Sequence, residues 1–382
     1  MNKGWEIKKL GDVCEVEYGT RVVNKRDGGT MYPVYGGGAT FFMDTFNREN
    51  RLVVSRFAMS EQCTRFVSGK FFLNDSGLTL KPKDENILTC SFLNLQMLFL
   101  NDVIYSLGKG AAQRNLDVPT FRNLEIVYPK SLSEQHRIVS ILDQCFSAID
   151  KAKANAEQNL KNAREMFDCT LNSILYDKKW KIKKLGEVCE KVEYGTSSKS
   201  QSQGIMPVLR MGNIQNGRFV WDSLVYSNNE EDNKQYLLKY NDVLFNRTNS
   251  PELVGKTAIY KGERPAIFAG YLIRINRKEN LLDADYLNYY LNSKMAFEYG
   301  KTVVISSVNQ ANINGTKLKT FPIPLPTLQD QQSIVRQLDT FRAETQKLEA
   351  IYQKKIDNFA ELKKRILGKA FSGELNYNEK YL

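Results

Sequence analysis

Trp5-Glu6-Ile7-Lys8-Lys9-Leu10-Gly11-Asp12-Val13-Cys14-Glu15 recurs 175 residues later as Trp180-Lys181-Ile182-Lys183-Lys184-Leu185-Gly186-Glu187-Val188-Cys189-Glu190. After one inserted residue, Lys191, Glu17-Tyr18-Gly19-Thr20 returns as Glu193-Tyr194-Gly195-Thr196. A second matched pair lies downstream, where Leu132-Ser133-Glu134-Gln135-His136-Arg137-Ile138-Val139 aligns with Leu328-Gln329-Asp330-Gln331-Gln332-Ser333-Ile334-Val335 at a shift of 196. The register holds onward: Leu142-Asp143 matches Leu338-Asp339, and Leu171 matches Leu367. A long internal repeat of this kind organises everything between its copies. Those intervening inserts, about 20 to 128 and about 196 to 325, are unlike one another, the second being about 20 residues longer.

The downstream segments read as helices. Ile138, Leu142, Cys145, Ile149, Ala152, Ala156, Leu160, Ala163, Phe167, Leu171 and Ile174 recur at steps of three and four, the spacing of one helical face. The second copy gives Ile334, Leu338, Phe341, Thr345, Leu348, Tyr352, Ile356, Phe359, Leu362, Ile366 and Ala370. Pro129 and Pro326 stand just ahead of the two starts, where proline is tolerated. An uninterrupted helix from Ser131 to Asp177 would be roughly 70 Å long. Such a helix cannot bury a narrow apolar stripe alone, so the two copies are expected to pair as a coiled coil. Two equivalent halves related by a two-fold axis require the pair to be antiparallel. Two separate helices, each packed on its own domain, is the competing arrangement. The spacer residues expected in the seam are Ile138, Leu142, Ile149, Leu160, Phe167, Leu171, Ile334, Leu338, Leu348, Ile356, Leu362 and Ile366.

The inserts carry glycine and short β-like runs, such as Arg51-Leu52-Val53-Val54-Ser55-Arg56 and Asn241-Asp242-Val243-Leu244-Phe245-Asn246-Arg247. Each then has a shorter helical pattern, around Phe92 to Leu98 and Tyr286 to Asn292. The fold class is therefore α+β: two globular domains separated by an antiparallel coiled coil of two long helices, with an internal pseudo-two-fold repeat.

With 382 residues, 42% hydrophobic and 11% aromatic, the chain has ample material for packed cores, which excludes disordered and collagen-like classes. No run approaches the roughly 18 apolar residues of a membrane span, and Lys3 and Glu6 interrupt any signal-peptide core, so a cytoplasmic protein is expected. Lys and Arg number 54 against 43 Asp and Glu, a net charge of +11, which makes nucleic acid the first partner to consider. The helical segments 131–177 and 327–373 hold 14 basic and 13 acidic residues, so the inserts hold almost all of the excess.

Chemistry is tightly restricted by composition. His136 is the only histidine, and the six cysteines never fall as C-x-x-C, so no zinc or redox pair is legible and no metal site is expected. Gly255-Lys256-Thr257 lacks the earlier glycine of a phosphate loop, its place being taken by Ser250. Gly36 to Gly38 read as a tight turn. Asn249-Ser250-Pro251-Glu252 is not the Asn/Asp-Pro-Pro-aromatic signature of amino-methyltransferases, and Glu361-Leu362-Lys363 falls mid-stripe rather than in a nuclease site. No catalytic residue is expected. Arginine and amide side chains in the insert loops are instead suited to base edges and phosphates. The candidate DNA contacts are Arg21, Lys25, Arg26, Tyr35, Gly37, Arg56, Lys109, Gln113 and Arg114 in the first insert, and Lys199, Arg210, Asn213, Arg218, Arg247, Asn249, Gln310 and Asn312 in the second.

The arrangement resembles the specificity subunit of type I restriction-modification systems across essentially the whole chain. The carriers are the duplicated Trp-x-Ile-Lys-Lys-Leu-Gly segments and the strings Pro322-Ile323-Pro324-Leu325-Pro326 through Val335 and Tyr128-Pro129 through Val139. They also include the loops Gly110-Ala111-Ala112-Gln113-Arg114-Asn115-Leu116 and Asn309-Gln310-Ala311-Asn312-Ile313, with Pro207 to Ile214 and Gly255 to Tyr260. The resemblance implies a non-catalytic DNA reader: a target-recognition domain at 1–130 with repeat segment 4–20, a spacer helix at 131–178, a second recognition domain at 179–326 with repeat segment 180–196, and a second helix with tail at 327–382. Each domain would read half of a split site in double-stranded DNA, and the helices would set the unread spacer. Two modification subunits, which methylate adenine at N6 with S-adenosylmethionine, and ATP-driven restriction subunits would dock on it, so this chain itself needs no cofactor. A detached recognition part of a fused methyltransferase-nuclease, and a coiled-coil adaptor that binds no DNA, remain the alternatives.

Overall fold

The computed structural model describes residues 4–36, 41–111, 113–177, 179–250, 254–307 and 310–375. The chain divides into two compact units, Met1–Glu157 with Gln353–Leu382 and Gln158–Tyr352. The division cuts both long helices, Leu132–Leu175 and Leu328–Phe371, near their middles. Among the described residues no helix is long and apolar enough to cross a membrane.

In the first unit the strand Trp5–Lys9 runs antiparallel to Glu125–Pro129, with Trp5 opposite Pro129. One helical turn, Leu10–Val13, buries Leu10 and turns the chain into Cys14–Tyr18, the edge of a six-stranded sheet. Beyond it follow Gly77–Pro82, Arg48–Ser55, Thr64–Leu73, Tyr32–Tyr35 and Phe42–Met43. Pairing is antiparallel except between Tyr32–Tyr35 and Thr64–Leu73. The helix Cys90–Phe99 starts on Thr89, whose hydroxyl accepts from Phe92 N, and buries Phe92, Leu93 and Met97 in the core.

The second unit repeats this plan. Lys181–Lys184 pairs with Pro322–Leu325. The turn Leu185–Val188 leads into Cys189–Tyr194, which is followed across the sheet by Leu272–Arg277, Val243–Asn246 and Thr257–Ile259. The single strand Thr64–Leu73 of the first unit is matched here by two short ones: Thr257–Ile259 pairs with Val243–Asn246, and Ile267–Phe268 pairs in parallel with Met206–Leu209. The helical pattern around Tyr286 is the helix Ala284–Leu291, capped by Asp283.

Both long helices start on a hydroxyl, Ser131 accepting from Glu134 N and Thr327 from Asp330 N. Ile138 and Leu142, from the start of the first helix, share the first unit's core with Leu367, Ala370 and Phe371 from the end of the second. Arg137 donates to Leu375 O, and Lys363 pairs with Asp150 at 2.5 Å, so within this unit the helix halves run in opposite directions. The second unit takes the other halves. Phe167, Leu171 and Leu175 join Ile334 and Leu338 in its core, Phe167 stacks on Phe341 at 6.3 Å, and Arg164 pairs with Glu349 at 3.0 Å, again in opposite directions.

The stripe expected from sequence departs from the structure at two positions. Ile149 and Leu160 are buried and Ile356 and Ile366 half-buried, but Leu348 is 37% and Leu362 42% exposed. At both places a neighbouring ion-paired side chain is less exposed, Glu349 facing Arg164 and Lys363 facing Asp150 over the Phe146 ring. The steps of three and four from Thr345 and Phe359 fit either neighbour, and the residue with a partner across the pair takes the inner place.

Candidate nucleic-acid interface

In the first unit the chain leaves the strand Cys14–Tyr18 through a close approach. Gly19 N donates to Gly77 O at 3.2 Å and Thr20 N to Leu73 O at 3.0 Å. A Cβ at residue 19 would lie 1.9 Å from Asn74 O, so only glycine fits. Tyr18 is left 44% exposed at the strand end, and the Arg56 guanidinium lies 5.1 Å from its ring centroid and 4.4 Å from that of Phe57. The Arg56 backbone is tied at both ends: its N–H donates to Ser76 O, and its carbonyl accepts from Leu116 N, each at 2.8 Å.

That second bond brings in the loop containing Gln113. Met59 N donates to Arg114 O at 2.9 Å, and Ala58 N donates to Asn115 Oδ1 at 3.2 Å. Arg114 lies 4.6 Å from the Tyr105 ring and donates to Gly108 O. Arg56, Gln113 and Arg114 are thus gathered onto neighbouring loops, with Gln113 exposed. Lys109 stands on the same loop, ion-paired with Asp117 at 2.5 Å.

A second group adjoins through Asn74 to Ser76. Arg65 lies 5.0 Å from the Tyr35 ring and donates to Gly36 O, while its buried Nε finds no partner among the described residues. Tyr35 is therefore half-covered by an arginine. Arg21, Lys25 and Arg26 are exposed, Arg26 paired with Asp27 at 2.8 Å.

The second unit contains the same constellation. A Cβ on Gly195 would lie 2.1 Å from Phe268 O, and Thr196 N donates to that same carbonyl. Tyr194 is 41% exposed, with the Arg247 guanidinium 4.9 Å from its ring centroid. Arg247 N donates to Tyr271 O, and the Arg247 carbonyl accepts from Ile313 N at 2.9 Å, as Arg56 accepts from Leu116. Asn312 Nδ2 donates to Thr248 Oγ1 at 2.8 Å, and Asn249 pairs with Ala311 across the strands. Arg247, Asn249 and Asn312 are therefore gathered together, while Gly37 and the side chain of Gln310 lie outside the described residues.

Beneath Tyr194, Glu193 lies 3.0 Å from Arg274, which also reaches Asp242 at 3.2 Å. Burial pushes the Glu193 carboxyl up, but Lys191, Asn276 and Arg274 outweigh it and hold it at about 2. This network stiffens the strand from which Tyr194 projects.

The remaining candidates stand apart from it. Lys199 is exposed, Arg218 faces Asp285 at 3.6 Å, and Arg210 donates to Ser223 O. Asn213 is corrected: it is 3% exposed, its Oδ1 accepting from Arg210 N and its Nδ2 donating to Val220 O and Asp222 O, so its amide builds the turn and is not open to a base. Tyr18 and Tyr194 were not among the candidates. Their signal was present in the repeated Glu-Tyr-Gly-Thr segment, which places one tyrosine beside an obligatory glycine in both copies.

Residues 2–161 and 177–358 match the family described as the type I restriction modification DNA specificity domain. The putative type I restriction enzyme MjaX specificity subunit of Methanocaldococcus jannaschii is 30% identical over 197 residues, covering 50% of this chain and 45% of that protein. The type I restriction enzyme StySPI specificity subunit of Salmonella potsdam is 28% identical over 294 residues, 72% of this chain and 63% of its own. The chain thus spans less than two thirds of the length of these relatives. A solved chain, described as the structural basis underlying complex assembly and conformational transition of the type I R-M system, has the same fold at TM-score 0.74, 18% identity and coverage of 98% and 99%.

Proposed function

The chain belongs to the type I restriction modification DNA specificity domain family, and from that premise we propose that it is the DNA specificity subunit of a type I restriction-modification complex. The observation that carries this is the paired constellation: Tyr18, Arg56 and the loop through Leu116 in one unit, Tyr194, Arg247 and the loop through Ile313 in the other. Two similarly built but differently furnished surfaces suit the two unlike halves of a split DNA site, since half-site arrangement mirrors protein geometry. In this reading residues 1–130 and 179–326 are the two readers, and 131–178 and 327–382 supply an antiparallel coiled coil that fixes the unread spacer. The opposite helix directions within each unit support that arrangement.

Two modification subunits and the restriction subunits would dock on this scaffold, and the chemistry would be theirs. Adenine methylated at N6 must leave the stack to reach a partner's active site, so the readers also have to hold distorted DNA. Co-expression with the modification partner, followed by genome-wide mapping of methyladenine, tests the assignment. A split motif that disappears when this chain is omitted is the expected result; no split motif, or one indifferent to the chain, overturns it.

A further inference from the structure

The Tyr18–Arg56 and Tyr194–Arg247 pairs do not fit the part of a sequence reader. A split asymmetric site has two different halves, and a side-chain pair present in both readers cannot account for that difference. Their charges are also differently placed from several others nearby. Arg26, Arg48, Lys109, Arg218 and Arg274 each face a carboxylate. Among the described residues Arg56 and Arg247 have no carboxylate partner. Arg247 makes one long bond, 3.4 Å from Nη1 to Gly270 O, and its buried Nε has no partner among the described residues. Both guanidinium groups are restrained by an aromatic face, and both backbones are bonded on either side to neighbouring loops. A pre-oriented cation without a counter-ion, beside an exposed loop, is what an anionic oxygen would complete.

We propose that these two arginines are matched phosphate clamps, each held by its tyrosine to grip one backbone phosphate of its half-site, giving affinity and register without base choice. Phosphate contacts are common to every sequence, which explains why the constellation is kept while the surrounding loops differ. The inference rests on the specificity-subunit reading above and assigns the roles of residues within it.

The test uses the assembled complex of this chain with its modification subunits and a duplex carrying the mapped motif, with affinity measured across a salt series. R56Q and R247Q should each weaken binding and lower the slope of log affinity against log salt by about 1, leaving the methylated motif unchanged. R56K and R247K keep the charge and should keep most of the slope. A motif relaxed at one base by either glutamine variant, or an unaltered slope, overturns the clamp, as does a slope lost equally with lysine. Those failures occur with the wild-type complex still binding its split site. Absence of site-specific binding by the wild-type complex instead removes the underlying reading.

Discussion

Gln135 holds Thr89: the Thr89 N–H donates to Gln135 Oε1 at 2.8 Å, from a helix side chain to a backbone 46 residues away. The same amide donates to Ile87 O and Pro129 O, so one fully buried side chain joins the long helix to the loop ahead of Cys90–Phe99 and to the end of Glu125–Pro129. Gln331 makes the matching set in the second unit with Asp283 N, Leu281 O and Pro326 O. The glutamine of the repeat is thus the fastening between each long helix and the globular part of its unit, which is why it recurs in a segment otherwise marked only by apolar spacing.

Replacing Gln135 by leucine keeps the volume roughly and strands three backbone groups, a cost of about 3 kcal/mol. Segment-resolved hydrogen exchange should show faster exchange at Thr89 in Q135L with Asp283 unchanged, and the reverse in Q331L. Equal loosening of both units by either variant would contradict local fastening.

The network under Tyr194 predicts an acid dependence. Glu193 is held at about 2 in the folded chain, below the usual 4.5 of a glutamate. A depressed carboxylate contributes stability that is full above the unfolded value and is lost as pH falls from there towards the folded value. Exchange protection of Cys189–Tyr194 and Leu272–Arg277 should therefore decline between about pH 5 and 2, and E193Q should flatten that decline while lowering protection at neutral pH. R274M removes the cation that Glu193 and Asp242 share, leaving Glu193 only Lys191 and Asn276, and should cost about 3 kcal/mol in unfolding of the second unit.

The repeat was legible because both copies must solve the same problem. Trp5 to Glu15 and Trp180 to Glu190 build the same strand, turn and strand, and Leu10 and Leu185 plug equivalent cores. The helices were legible from their period, though not the inner choice between Leu348 and Glu349 or Leu362 and Lys363, which depends on a partner from a distant stretch of chain. The correspondence of Arg56 with Arg247 was hidden. They stand 191 apart, matching neither the 175 nor the 196 shift, because the inserts differ in length on either side of them. Asn213 misled for a chemical reason: the donor and acceptor that suit an adenine edge suit a buried turn equally well.

The seam makes a contrast between leucines that look alike in sequence. Leu142 is fully buried, and L142A should cost about 2 to 5 kcal/mol. Leu362 is 42% exposed, and L362A should cost less than about 1 kcal/mol. K363A removes the partner of Asp150 and uncovers Phe146, so it should destabilise more than L362A despite the smaller loss of apolar surface. Unfolding midpoints of the three variants order these effects, and L362A being the worst would restore the simple leucine stripe.

The proposed ruler predicts an outcome in DNA. Each unit contains half of each long helix, and the boundaries fall after Glu157 and after Tyr352. Four residues inserted at both boundaries add about 6 Å and close to one full turn, so the seam on either side keeps facing its partner. Insertion in one helix alone would shift the pairs Arg164 with Glu349 and Asp150 with Lys363 relative to each other and should destabilise the chain. Base pairs are stacked about 3.4 Å apart, so the double insertion should lengthen the methylated motif's spacer by one or two base pairs. Both half-sites should stay as they were, because the loop around Gln113 and the residues Asn249 and Asn312 lie outside the lengthened helices. Methylome mapping reads both quantities at once: an altered half-site with an unchanged spacer would assign reading to the rod and contradict the division of labour proposed here.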